Sequence, residues 1–393
     1  ERCAERGIAA GAKREKLGRL RLVLATSHHW RGRPGDARKL ALAAQDALPS
    51  GSDPWVQAIE RECFAALSLG LFDVFDRVQP RLEASPETRM TVRALARLAT
   101  GAFQAGQSER AHALLARAEG APKTLRAAPD VAAALERARA SRATRRGDSA
   151  ACLVHLRASA ALQDEAGARR DACIERLNAA VLEAELGLHE DAERHLREAY
   201  DDAKRMSLAI VVDAARTNLG HVLTHLGRHR EARAELGAAF LSLRDRGDER
   251  FLGAVHAYLS RALLGDGQPE EAERHARLAV EHLRDLPQVR PYALALLAEA
   301  LRARGRLEEA RDAADRAMDV LRSGVPLELG EGLVRWAHVA TLDALGDADA
   351  DAAAADAARA LRERAAKITD PAWRQSFLER IPEHAATVAR EPR

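Results

Sequence analysis

A glycine returns at nearly constant intervals along this chain, and that recurrence constrains the fold more than any other feature. The glycines are Gly32, Gly70, Gly106, Gly147, Gly187, Gly227, Gly267, Gly305 and Gly346, separated by 38, 36, 41, 40, 40, 40, 38 and 41 residues. Such a period marks stacked supersecondary units, each too small to bury its apolar face alone. Fixed offsets show what each unit is. Seven residues before the glycine stand Ala25, Cys63, Ala99, Ala140, Ala180, Gly220, Ser260 and Ala298, and in the ninth unit the column slips by one, from Val339 to Ala340. Five residues after it come Ala37, Phe75, Ala111, Cys152, Ala192, Ala232, Ala272, Ala310 and Asp351, and twelve after it Ala44, Leu82, Ala118, Ser159, Ala199, Ala239, Ala279, Ala317 and Ala358. Small side chains at three points in register let two antiparallel helices cross closely and let the second pack on the next unit. An alanine-rich chain fills one column by chance. It does not fill three in register with a glycine that often follows leucine, as in Leu69-Gly70, Leu186-Gly187, Leu226-Gly227 and Leu345-Gly346.

These residues resemble the tetratricopeptide repeat, in which leucine and a small residue stand in the first helix and alanines stand early and late in the second. Asn218-Leu219-Gly220 with Ala232 and Ala239 is the clearest match, followed by Leu259-Ser260 with Ala272 and Ala279, and Leu297-Ala298 with Ala310 and Ala317. The usual repeat is about 34 residues, so this period is similar to a longer-helix bacterial variant. HEAT repeats share the period but are expected to carry a kinking proline, and no first helix here has one inside. The resemblance implies an all-α, right-handed superhelix over 1–393: a tail of a preceding helix at 1–11, nine helical hairpins over 12–366, and a C-terminal capping helix and tail over 367–393.

Composition fits. Hydrophobic residues at 47%, charged residues at 31% and aromatics at 4% suit helices of Ala, Leu, Arg and Glu, and argue against β-structure. The four cysteines are scattered, and Cys63 and Cys152 occupy small-residue columns, so they read as reduced and the setting as cytoplasmic. No apolar run approaches the roughly 18 residues of a membrane helix, and no signal-peptide pattern opens the chain. Prolines punctuate the array: Pro49, Pro54, Pro80, Pro86, Pro122, Pro129, Pro287, Pro291, Pro326 and Pro371 are expected between hairpins, while Pro34 and Pro269 start second helices. Phe75 and Leu82 should splay the second hairpin or hollow its neighbours. The thin apolar stripe of residues 135–142 should make the fourth hairpin the softest. Between Asp201 and Asp213 neither proline nor glycine marks the helix ends.

The chain opens on Glu1 rather than methionine, so the array is expected to derive from a longer protein. Asp370 reads as an N-cap and Pro371 as a first-turn residue of a helix whose Trp373, Phe377, Leu378 and Ile381 share one face and cover the ninth hairpin. Residues 370–384 also resemble the extreme C-termini of large bacterial signalling proteins, in which a Ser/Thr protein kinase or a signalling ATPase precedes a tetratricopeptide tail. The catalytic parts of such proteins are not written here: there is no phosphate-cradling glycine loop, kinase catalytic loop or Gly-x-Ser-x-Gly. The expectation is therefore a non-catalytic region with no cofactor.

Metal chemistry is weighed because His221, His225 and His229 recur at four-residue spacing. No cysteine or carboxylate stands at ligand spacing, and Gly227 ends the helix before His229, so no metal is expected. The repeat register gives these histidines another role. First helices of such hairpins line the inner surface, placing His221 and His225 in a groove with Thr217 and Thr224, joined by Glu185, Arg261, Glu299 and Arg302 from neighbouring hairpins. This mixed polar groove is expected to grip a protein or peptide ligand, or a catalytic domain of the same parent protein. The alternative is a helical-repeat module for single-stranded RNA. However, 61 basic residues face 59 acidic ones, and aromatics for base stacking are scarce.

Overall fold

The computed structural model describes residues 1–244, 248–325 and 327–390, and within them every regular element is an α-helix. The chain packs as two compact units, Glu1–Glu175 and Arg176–Arg393. The N-terminal unit holds α1 (Arg2–Ala9), the pair α2 (Arg14–Trp30) and α3 (Pro34–Gln45), the pair α4 (Asp53–Ser68) and α5 (Val74–Glu83), and the pair α6 (Arg89–Gln104) and α7 (Ser108–Gly120). A short α8 (Lys123–Arg126) leads to α9 (Pro129–Arg146) and α10 (Ser149–Glu165), and the boundary falls inside α11 (Arg169–Glu185). The C-terminal unit continues with α12 (His189–Arg205), α13 (Ala209–His225), α14 (His229–Arg244), α15 (Glu249–Gly265), α16 (Pro269–His282), α17 (Arg290–Ala303), α18 (Leu307–Arg322), α19 (Glu331–Leu345) and α20 (Ala350–Ala366). Two short helices close it, α21 (Pro371–Glu379) and α22 (Pro382–Arg390).

All nine recurring glycines sit at φ between 63° and 77°, the left-handed region that costs other residues energy. At Gly227 the glycine N–H donates to the Thr224 carbonyl at 3.1 Å and the Arg228 N–H to the Leu223 carbonyl at 2.9 Å, which ends α13 and turns the chain into α14. The small-residue columns are where the helices touch. Ala25, Ala99, Ala180, Ser260 and Ala298 from first helices, and Ala37, Ala111, Ala192, Ala232, Ala272 and Ala310 from second helices, have no exposed surface. A methyl on Gly220 would collide with the Leu236 side chain across the α13–α14 crossing.

The second hairpin keeps its large residues by hollowing its neighbour. Phe75 and Leu82 are fully buried, and Gly101 of α6 faces Phe75: a Cβ there would lie 3.5 Å from Phe75 Cζ and 2.5 Å from Leu67 Cδ1. One proline departs from its expected place. Pro80 lies inside α5 rather than between hairpins, because α5 starts only at Val74 and still runs to Glu83. Pro34 and Pro269 open α3 and α16 as expected, and Pro326 lies outside the described residues. The unmarked junction near residue 207 is turned by Ser207 itself at φ 57°, with the Leu208 N–H donating to the Ala203 carbonyl at 2.9 Å. The helix expected after Asp370 is capped as read, since the Asp370 carboxylate accepts from the Trp373 N–H at 3.0 Å. It is split in two at Pro382, because a proline disfavours helical backbone in the residue before it. Among the described residues no helix is long and apolar enough to cross a membrane.

Candidate ligand cavity

Within the C-terminal unit the first helices turn one stripe each toward a common space. Counting from the small residue of each first helix, the stripe holds Asn178, Asn218 and Tyr258 two places before it, Val181 and His221 one place after it, and Ala214, Ala254 and Tyr292 six before it. Steps of three and four residues share one helix face, so the columns form a continuous wall. The space they enclose is about 390 Å³, completed by Leu177, Phe251, Leu283 and Val289. A second chamber of about 210 Å³ shares Glu185, His221 and Tyr292 and extends to His225, Arg261 and Arg364.

Stacked rings run along one part of the wall. His221 stacks on Tyr258 with centroids 4.3 Å apart, His225 stacks on His189 at 4.6 Å, and the two stacks meet where His221 and His225 lie edge to face at 4.7 Å. Burial, with the Arg261 guanidinium nearby, drives His221 down to about 3 and His225 well below its ordinary value, so both rings are neutral at physiological pH. Among the described residues no group of three or more ligating side chains is arranged to hold a metal ion. Glu185 is exposed to the cavity but surrounded by protein. Burial pushes its carboxyl up to about 7 against the pull of Arg364, and water in the cavity tempers that shift.

The C-terminal helices contribute to the same site. Glu383 of α22 accepts from Arg261 at 2.5 and 3.2 Å, and Arg261 also donates to the Tyr292 hydroxyl at 3.3 Å. The side chains of this pair are only 12% and 8% exposed. Burial raises the Glu383 carboxyl, but the Arg261 charge and its hydrogen bonds outweigh burial and hold it at about 2. Arg380 pairs with Glu190 at 2.5 Å, the Arg380 carbonyl lies 3.3 Å from His189 Nε2, and a Cβ on Gly187 would lie 2.6 Å from the Ser376 carbonyl. Meanwhile α22 packs on α19 and α20, with Arg390 on Asp343 at 2.7 Å and Asp351 at 2.9 Å. The terminal segment therefore spans from the last hairpin to the start of α12.

The expected groove residues divide. Glu185, Thr217 and His221 line the first chamber, and Glu185, His221, His225 and Arg261 the second. Thr224 is buried and donates its hydroxyl to the Gly220 carbonyl at 2.9 Å. Glu299 and Arg302 pair with each other at 2.8 Å and line neither chamber. Sequence reading missed Asn178, Asn218, Tyr258 and Tyr292. Their shared register columns carried the signal, but tyrosine at helical spacing reads as core.

No family model and no curated protein matches the chain. Solved structures do. A Rap protein complexed with Competence and Sporulation Factor is similar at TM-score 0.62 and 12% identity, over 86% of this chain and 98% of that one. The apo form of RapI is similar at 0.55 and 9%, over 85% and 97%. A signal-transduction ATPase with numerous domains and a tetratricopeptide-repeat sensor, from Pyrococcus horikoshii, is similar at 0.57 and 17%, over 81% of this chain and 49% of that one. The fold is thus the all-α, tetratricopeptide-type helical repeat that the glycine register implied.

Proposed function

We propose that the C-terminal unit binds a segment of a protein or peptide in its cavity and acts as a non-catalytic interaction scaffold. The observation that carries this reading is the wall itself: successive first helices converge apolar and aromatic side chains on one concave space and add a few polar groups, as ligand sites do. Asn178 and Asn218 stand one repeat apart on that wall, and each carboxamide offers a donor and an acceptor, the complement of a peptide unit. That a neighbour of the same fold was solved with Competence and Sporulation Factor supports a bound factor here. The neighbouring ATPase, about half of which this chain spans, supports the finer reading of a sensory region serving a catalytic domain in a larger signalling protein. Three of the four cysteines, Cys63, Cys152 and Cys173, are buried, which supports a reducing, cytoplasmic setting.

The RNA alternative is not favoured. Two arginines of α9 are engaged within the chain rather than offered to phosphates: Arg137 lies 3.3 Å from Glu175, and Arg139 lies 2.8 Å from Glu119 and 2.6 Å from Glu136. Fluorescence anisotropy with pooled, end-blocked hexapeptides tests the peptide reading. Saturable binding should be weakened by Ala254→Trp, which fills the cavity, and unchanged by Leu241→Trp at a 59% exposed position on α14. No saturable binding, or equal binding by both variants, would refute it.

A further inference from the structure

Among the described residues, one carboxylate lining the cavity has no partner. Glu185 sits where the two chambers join, and among the described residues it makes no hydrogen bond or ion pair. The other carboxylates there are committed, Glu328 to Arg250 on the rim, Glu331 to Arg335 and Glu383 to Arg261. Arg364, across the second chamber, is the cation that acts on Glu185 over distance, but it forms no ion pair with it and packs over the Phe377 ring at 5.4 Å. Around the carboxylate stand neutral His221 and the rings of Tyr258 and Tyr292, whose faces attract cations. Beside it, Leu177, Val181 and Phe251 offer an apolar wall for an aliphatic stem.

We propose that Glu185 seats one basic side chain, a lysine ammonium or arginine guanidinium, of the segment bound in the cavity. This rests on the peptide reading above and specifies its chemistry. Glu185 is exposed to the cavity and unpartnered, so a ligand that fills the space must replace its hydration, and a ligand cation does so with a charge-assisted hydrogen bond while its stem covers the apolar wall. An uncharged ligand of the same shape strips water from Glu185 and returns nothing. The site should therefore discriminate by charge more than by size.

The test uses the full chain and positional-scanning pools of end-blocked hexapeptides with lysine, arginine, norleucine or glutamate fixed at each position, together with n-butylguanidinium as a small probe. Lysine or arginine at one position should tighten binding at least about tenfold over norleucine, and glutamate there should weaken it. Glu185→Gln, which keeps shape and removes charge, should abolish that preference while leaving norleucine pools within about threefold of the original; circular dichroism checks its fold. Pools that bind without preferring a cation, or a preference that survives Glu185→Gln, would overturn the proposal. If no pool binds but butylguanidinium does, and Glu185→Gln loses it, the peptide reading fails while the cation seat stands. If neither probe binds, both fail.

Discussion

Replacing Glu383 by glutamine should release the C-terminal segment from the cavity, and the size of the effect follows from the buried pair. In the folded protein the Glu383 carboxyl is held at about 2, against an ordinary 4.5, so near neutral pH its charged form gains about 3 kcal/mol on folding. Because the folded value is depressed, this contribution is complete above about pH 4.5 and is lost as pH falls toward 2. Truncating one partner also leaves Arg261 buried without its counter-ion, a loss of about 3–5 kcal/mol in comparable buried pairs. Hydrogen exchange read by mass spectrometry over 371–390 reports the opening of this segment separately from the repeats. Glu383→Gln should speed exchange there by about a hundredfold, the factor that 3 kcal/mol implies. Arg261→Met should do the same, and the Arg261→Met/Glu383→Met pair should lie closer to wild type than either single change, since an apolar pair leaves no buried charge behind. Exchange within threefold of wild type in both single variants would refute this energetic account.

Three further outcomes follow from the same geometry. Gly220→Ala should destabilise by about 1–3 kcal/mol through its clash with Leu236, whereas Gly227→Ala should cost only about 1 kcal/mol for its left-handed backbone; chemical denaturation compares them. Ser207→Gly should stabilise by about 0.5–1 kcal/mol, and an unchanged melting temperature would deny that strain is stored there. His189, His221 and His225 all have lowered folded values against an ordinary 6.5, so the unfolded chain takes up protons first as pH drops. Stability of the C-terminal unit should therefore fall from about pH 6.5 downward, by about 2 kcal/mol by pH 5 from His221 alone, and His221→Asn should flatten that slope in thermal melts. Glu185, raised to about 7, works in the opposite sense and is weakened by the water around it.

The repeat fold was legible because its signals are local and recur. A positive-φ glycine and three small residues at fixed offsets impose a hairpin wherever they occur, and Phe75 announced an exception that Gly101 accommodates. The junction at Ser207 was not legible, because the turn uses a residue with no strong left-handed preference. The inner wall was half legible. The register found Glu185, Thr217, His221, His225 and Arg261, but it passed over Tyr258 and Tyr292, whose columns look like core. The reach of the terminal helices was not legible at all. Glu383 and Arg261 are 122 residues apart, and nothing local to either says that they meet.

Hydrogen exchange of the full chain with and without a saturating amount of the best-binding hexapeptide pool tests the central claim most directly. If the cavity of the C-terminal unit is the binding site, protection appears in 177–185, α13 and α15, while residues 1–175 exchange as before. Protection confined to residues 1–175, or binding that leaves α13 and α15 unprotected, would contradict it.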